Sequence, residues 1–123
     1  MQKKFALTNE TRVISNQILY RIKALKDFSD VKAGDLGGFV EKEDNLSHDG
    51  NCWVYDDACI YNNAYVSDNA TVFNYARVFD NAVVSDNVYV CYSVKIFGNA
   101  IVDGNQKIYD DIGNNNKTIN EAA

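Results

Sequence analysis

Apolar and polar positions along this chain keep a six-residue beat. From Cys52 it reads CWVYDD, ACIYNN, AYVSDN, ATVFNY, ARVFDN, AVVSDN, VYVCYS, VKIFGN, AIVDGN, QKIYDD. The first place takes a small or medium residue, the third takes Val or Ile throughout, and the last two are mostly Asp, Asn or Gly. So short a unit is one strand plus one corner, and no unit buries its own apolar face alone. Side chains alternate along a strand, so the first and third places point inward and the second and fourth outward. Val54, Ile60, Val66, Val72, Val78, Val84, Val90, Ile96, Val102 and Ile108 are predicted to share one interior, with Ala58, Ala64, Ala70, Ala76, Ala82 and Ala100 beside them. Asn63, Asn69, Asn81, Asn87, Asn99 and Asn105 are expected to turn the corners, because Asn tolerates positive φ. The chain lacks proline, which suits strands whose N–H groups all bond to a neighbouring coil.

Residues 1–33 have another texture. Phe5 to Thr8 alternates weakly, and Val13-Ile14, a polar Ser15-Asn16-Gln17 and then Ile18 to Leu25 predict two strands around a turn. A helix over 17–27 is the competing reading. This segment is expected to cap the solenoid, since an open coil end is a sheet edge that pairs with other chains. Gly34, Gly37 and Gly38 mark a structural turn that launches the repeats; no GK[ST] follows, so a phosphate loop is disfavoured. Residues 40–51, VEKEDN and LSHDGN, keep the corner chemistry but put Lys42 and His48 at the aliphatic place. This coil is expected to be loose or covered by the cap. Repeats fail after Ile112, so the division is a cap over 1–39, a solenoid over 40–113 and a polar tail over 114–123.

The repeat resembles the hexapeptide repeat of left-handed parallel β-helices, in which three hexads make one triangular coil. The resemblance implies an all-β fold: a left-handed parallel β-helix with a β-hairpin-like N-terminal cap. Residues eighteen apart then stack. The outward columns are Tyr55, Phe73, Cys91, Tyr109; Tyr61, Phe79, Phe97; Ser67, Ser85, Asp103; Trp53, Thr71, Tyr89, Lys107; Cys59, Arg77, Lys95; and Tyr65, Val83, Ile101. Further, Arg21-Ile22-Lys23-Ala24-Leu25, the stretch Lys32 to Glu41, Asn45-Leu46-Ser47 and Cys52-Trp53-Val54-Tyr55 resemble a family of small hexapeptide-repeat proteins of phages and prophages. That resemblance implies a phage origin and carries over no catalytic residue.

A chain of 123 residues is read as one domain. Its net charge of −5 disfavours direct nucleic-acid binding. The charge is split: residues 1–33 carry +4 and the remainder −9. A basic cap on an acidic rod is read first as a solvated surface, and second as a contact for an acidic ligand or another copy. With no apolar run of about 18 residues and no signal peptide, the chain is expected to be soluble and cytoplasmic, without membrane contact. Three cysteines without metal-like spacing are read as free thiols, Cys52 inward and Cys59 and Cys91 outward.

Hexapeptide β-helices are best known as trimeric acyltransferases with a histidine near a subunit interface. This chain has one histidine, His48, and no loop inserted over 52–111. His48 falls at an inward place, so it is read as packing against the cap rather than as a general base. No catalytic residue, metal or cofactor is expected. The aromatic columns are expected to be buried between subunits, a homotrimer first. Trp53, Tyr55, Phe73 and Tyr89 share one face, and Tyr61, Phe79 and Phe97 the next. Between them Tyr75, Tyr92 and Ser93 break the corner pattern, which marks an interface or site. Arg77 and Lys95 are candidates for a small anionic ligand; Asp56, Asp57, Asp68, Asp80, Asp86, Asp110 and Asp111 form a candidate acidic face toward a host protein. The first functional expectation is therefore a non-enzymatic oligomeric binding protein, an inhibitor of host defence such as an anti-CRISPR or a nucleotide sponge. The alternatives are a hexapeptide-repeat acyltransferase and a structural virion or filament component.

Overall fold

The computed structural model describes residues 3–113; the expected tail, 114–123, lies outside the described residues. Strands β1 (Phe5–Ile14) and β2 (Gln17–Ala24) form an antiparallel hairpin, so the strand reading of 17–27 holds and the helix reading does not. Ser15 and Asn16 make its turn with φ of 50° and 66°, the left-handed pair that a two-residue hairpin needs. Strand β3 (Leu36–Val40) runs antiparallel to β2 and parallel to the first solenoid strand of its face. One 3-10 turn, Glu43–Asn45, follows.

Ten two-residue strands then recur at six-residue steps: β4 (Trp53–Val54), β5 (Cys59–Ile60), β6 (Tyr65–Val66), β7 (Thr71–Val72), β8 (Arg77–Val78), β9 (Val83–Val84), β10 (Tyr89–Val90), β11 (Lys95–Ile96), β12 (Ile101–Val102) and β13 (Lys107–Ile108). They make three parallel faces. The tryptophan face stacks β4, β7, β10 and β13; the cap face extends from β1, β2 and β3 through β5, β8 and β11; the third face stacks β6, β9 and β12. This is a β-solenoid of about four turns. The register is eighteen residues throughout: Trp53 on Thr71 on Tyr89 on Lys107, Cys59 on Arg77 on Lys95, Tyr65 on Val83 on Ile101. Backbone N–H groups donate to the next coil, as from Tyr55 to Val72 (2.7 Å) and Cys59 to Ala76 (2.9 Å). The third-place aliphatics are buried, nine of the ten fully and Ile108 at 6% exposure. Each contributes about 1.5–3 kcal/mol by leaving water.

The corners differ from expectation by one place. The left-handed residue is the fifth of each of the first nine units: Asp56, Asn62, Asp68, Asn74, Asp80, Asp86, Tyr92, Gly98 and Gly104. Asp tolerates this position because its carboxylate accepts the backbone N–H eighteen residues on: Asp56 from Asn74 (2.9 Å), Asp68 from Asp86 (3.0 Å), Asp80 from Gly98 (2.9 Å) and Asp86 from Gly104 (2.8 Å). The sixth-place asparagines instead ladder side chain to side chain, as Asn87 donates to Asn105 at 2.8 Å.

The cap corrects a second expectation. Trp53, Cys59 and Tyr61 point outward as their columns require, yet they are 1%, 1% and 3% exposed within one chain. Phe5 and Phe28 meet Trp53 edge-on at 6.4 and 5.1 Å. Past a register break between Leu7 and Thr11, the hairpin lays Ile14 and Leu19 on Phe39, Cys59 and Tyr61. The chain's own cap, not a partner subunit, covers this part of the aromatic surface. Gly37 and Gly38 allow it by contact rather than by turning: a Cβ at Gly37 would strike Val54 O and Trp53, and one at Gly38 would strike Ala58 O and Val54 Cγ1.

Candidate functional site

The degenerate coil 40–51 and the start of β1 build one polar cleft. With no aliphatic at the third place, the coil is filled by other means. Asn45 is fully buried; its Oδ1 accepts from Lys42 N–H (2.9 Å) and its Nδ2 donates to Ala64 O (2.9 Å) and Asn62 O (3.2 Å). Lys4 is also fully buried and closes the end of the core. Its Nζ donates to Cys52 O (2.6 Å) and Gly50 O (3.2 Å), lies 3.3 Å from Cys52 Sγ, and sits over the Phe28 ring. Burial lowers its pKa, and burial raises that of the Cys52 thiol.

His48 stacks on Phe5 with ring centroids 4.3 Å apart. Its Nδ1 accepts the Lys4 backbone N–H at 3.0 Å, and its Nε2 is 2.6 Å from Glu43 Oε2. These bonds assign the proton of the neutral ring to Nε2, which donates to Glu43. Lys3 Nζ is 3.1 Å from the same carboxylate oxygen. Hydrogen bonds from Lys3 and then His48 hold the Glu43 carboxyl below its ordinary value. The cleft, about 370 Å³, is lined by Glu43, Asp44, Leu46, Ser47, His48, Asp49 and Tyr65.

The other candidates separate. Tyr55, Phe73 and Tyr89 form one continuous stack, at 4.4 and 4.5 Å, and Tyr61, Phe79 and Phe97 another, at 5.0 and 5.5 Å. The Tyr55 hydroxyl donates to Asp30 at 2.8 Å; burial and then that carboxylate push its pKa well above the phenol range. Tyr75 and Tyr92 are exposed on the corner between the two faces. Arg77 and Lys95 are stacked in register on the cap face, with Arg77 half-buried, Lys95 exposed, and the Lys95 backbone N–H held by Asp111 (2.8 Å). Of the acidic-face candidates, Asp56, Asp68 and Asp86 are exposed, and Asp57 and Asp80 half-buried. Asp56, Asp68, Asp80 and Asp86 hold the corners, as above, and Asp57 pairs with Arg21 at 3.2 Å. Part of the basic cap is therefore matched within the chain: Arg21 also pairs with Glu10 (3.0 Å) and lies over Phe39, and Arg12 donates to Asp57 O. Asp110 and Asp111 are exposed. Cys59 and Cys91 point outward but are covered, and burial raises the pKa of both thiols. Among the described residues no group of three or more His, Cys, Asp or Glu is placed to hold a metal.

Sequence reading missed Glu43 and Lys4. Glu43 had one signal, its place in the coil that lacks aliphatics; Lys4 had none, because a lysine near a chain start reads as solvated.

No family model matches the chain. Part of it is 38% identical, over 76 residues, to the uncharacterized acetyltransferase YdcK of Escherichia coli (strain K12). The match covers 54% of this chain and 23% of that protein, so the chain spans about a quarter of the relative it matches. This finding overturns the expectation of a non-enzymatic protein, because the relative bears an enzyme's name and matches at a level that chance does not give. It lends the host-defence reading nothing and does not bear on a phage origin. The match and the stacked parallel strands both fit the hexapeptide-repeat type.

Proposed function

We propose that this chain acts in acetyl transfer, the activity its Escherichia coli relative is named for. The 38% identity over 76 residues is the observation that carries the reading. The transfer moves an acetyl group from a thioester to a hydroxyl or amine. One bond forms from the acceptor's oxygen or nitrogen to the acetyl carbon, the C–S bond breaks, and the acceptor's proton ends on the released thiol. The first-coil cleft is where the chain offers groups for that proton. While the Lys4 amide occupies Nδ1, His48 has no free lone pair, so the ring serves Glu43 by donating Nε2–H. Glu43 is then the oxygen that meets the acceptor. Glu43, Asp44 and Asp49 make the lining acidic and favour an amine acceptor that arrives as an ammonium, gives its extra proton to water before attack, and passes its second proton to the released thiol. Tyr65 joins the cleft to the third face, where Tyr65, Val83 and Ile101 form an uncovered apolar column, 40% and 42% exposed at its two ends. A second copy seated there would wall the cleft.

The test is thiol release from acetyl-CoA by the purified protein across a panel of amines and alcohols. Turnover with an amine is expected, and Glu43→Gln should lower kcat/KM by about a hundredfold or more. Thiol release no faster than acceptor-free hydrolysis, or a Glu43→Gln protein as active as the parent, overturns the proposal.

A further inference from the structure

A groove lies towards the other end of the solenoid, on the corner between the tryptophan and cap faces. The outward column Tyr55, Phe73, Cys91, Tyr109 is aromatic at every coil except the third. Coils repeat at about 4.8 Å, so Phe73 and Tyr109 stand two rungs, about 9.6 Å, apart; Cys91 holds the place between them in the column, and the Tyr89 ring from the neighbouring column stacks on Phe73 at 4.5 Å. The stack Tyr55–Phe73–Tyr89 ends at Tyr89, over whose ring Lys107 Nζ sits at 5.8 Å. Beyond Cys91, the rings of Tyr92 and Tyr109 are 6.0 Å apart and tilted by 34°. These side chains and Asn74 enclose a groove of about 280 Å³.

An independent observation marks the same place. At every other solenoid corner that turns through positive φ, the residue is Asp, Asn or Gly; here it is Tyr92, with φ of 59°. A bulky side chain is disfavoured in that conformation. Tyr92 gains little packing in exchange, since it is 64% exposed. Strain kept without a packing gain is the mark of a residue held for contact.

We propose that this groove binds a flat, single-ring aromatic anion. The ring extends the aromatic stack beyond Tyr89, beside Tyr92 and Tyr109, and the anionic group meets Lys107. The volume suits one ring, being at the small end of ligand sites. Lys107 is the charged group among the lining side chains, so the complementary ligand is negative. The site is on different coils from the cleft of Glu43 and does not rest on the acetyl-transfer reading.

The test is an NMR titration of the full chain with 4-hydroxybenzoate, and with 4-hydroxybenzyl alcohol as its uncharged twin. Saturable shifts at Tyr89, Tyr92 and Tyr109 are expected, with Kd of about 1 mM or tighter. The alcohol, and Lys107→Met with the acid, should each bind about tenfold more weakly. Tyr92→Asn, which restores the usual corner residue, should fold and lose binding by about threefold or more. Several results overturn the proposal: no saturable shift, equal binding of acid and alcohol, or unchanged affinity in Lys107→Met. So do contacts from residues 114–123 or from a second copy already filling the groove, seen as nuclear Overhauser effects on Tyr109 or as self-association in sedimentation.

Discussion

Tyr92→Asn should make the protein more stable, although it removes a large aromatic side chain. Tyr92 sits at φ of 59° and is 64% exposed. The left-handed conformation costs an ordinary L-residue about 1–2 kcal/mol, and Asn is much less penalised. An asparagine also continues a ladder that Tyr92 interrupts: Asp56 accepts from Asn74 N–H and Asn74 Oδ1 accepts from Tyr92 N–H at 3.0 Å, each eighteen residues on. Against this stands the contact with Tyr109, 6.0 Å between centroids and solvated on both rings. Such a pair is worth about 0.5 kcal/mol at that exposure. The net gain is about 0.5–1 kcal/mol, or about 2–5 °C in Tm for a chain of this size. Scanning calorimetry on the parent, Tyr92→Asn and Tyr92→Ala separates the terms. The alanine keeps the backbone penalty and loses the ring, so the expected order of Tm is Asn, then parent, then Ala. A Tm for Tyr92→Asn at or below the parent's would show that the corner carries no strain and that the argument from Tyr92 fails.

Three further outcomes follow from other parts of the chain. Gly38→Ala should lower stability by about 1–3 kcal/mol, read as a drop in Tm, because its Cβ would press on Ala58 O and Val54 where β3 joins β5. Glu43 has a folded pKa held below its ordinary 4.5, so its contribution is present above that value and is lost as pH falls through the lowered one. The Tm difference between the parent and Glu43→Gln should accordingly shrink as pH is taken from about 6 towards 3. Burial raises the pKa of the Cys52 and Cys59 thiols and covers both, so a thiol reagent at about pH 8 should label neither in the native protein and both in denaturant.

The solenoid was legible because its rules are local. A branched aliphatic at each third place and a period of six set the alternation; the eighteen-residue columns needed in addition the three-hexad coil that the resemblance to left-handed β-helices implies. The corner residue was misplaced by one because both corner places hold Asx or Gly. Asp68 and Asp86 look like poor left-handed residues until the N–H groups they cap, one coil away, are seen. The burial of Trp53 was illegible for a different reason. Phe5 and Phe28 reach it from 48 and 25 residues away in sequence, and no periodicity in the cap signals where it will land. The cleft was hidden likewise: His48 was seen to be out of pattern, but its partners Lys4 and Glu43 come from two elements that pattern analysis treats apart.

The reach of the cap decides what the solenoid has left to offer. On the first coil it buries Trp53, Cys59 and Tyr61, and on the second Phe73 and Phe79 remain half-covered. By the third and fourth coils Tyr89, Tyr92 and Tyr109 are 40%, 64% and 57% exposed. The aromatic columns are thus structural cement at one end and available surface at the other, although the sequence of each column hardly changes along its length. At the covered end lies the polar cleft, whose residues also fasten the cap: Glu43 holds Lys3 and His48 holds the Lys4 amide. As proposed, the proton chemistry of acetyl transfer thus falls at the capped end, and the ring-stacked ligand at the bare one. A ligand that needs both would have to span the rod.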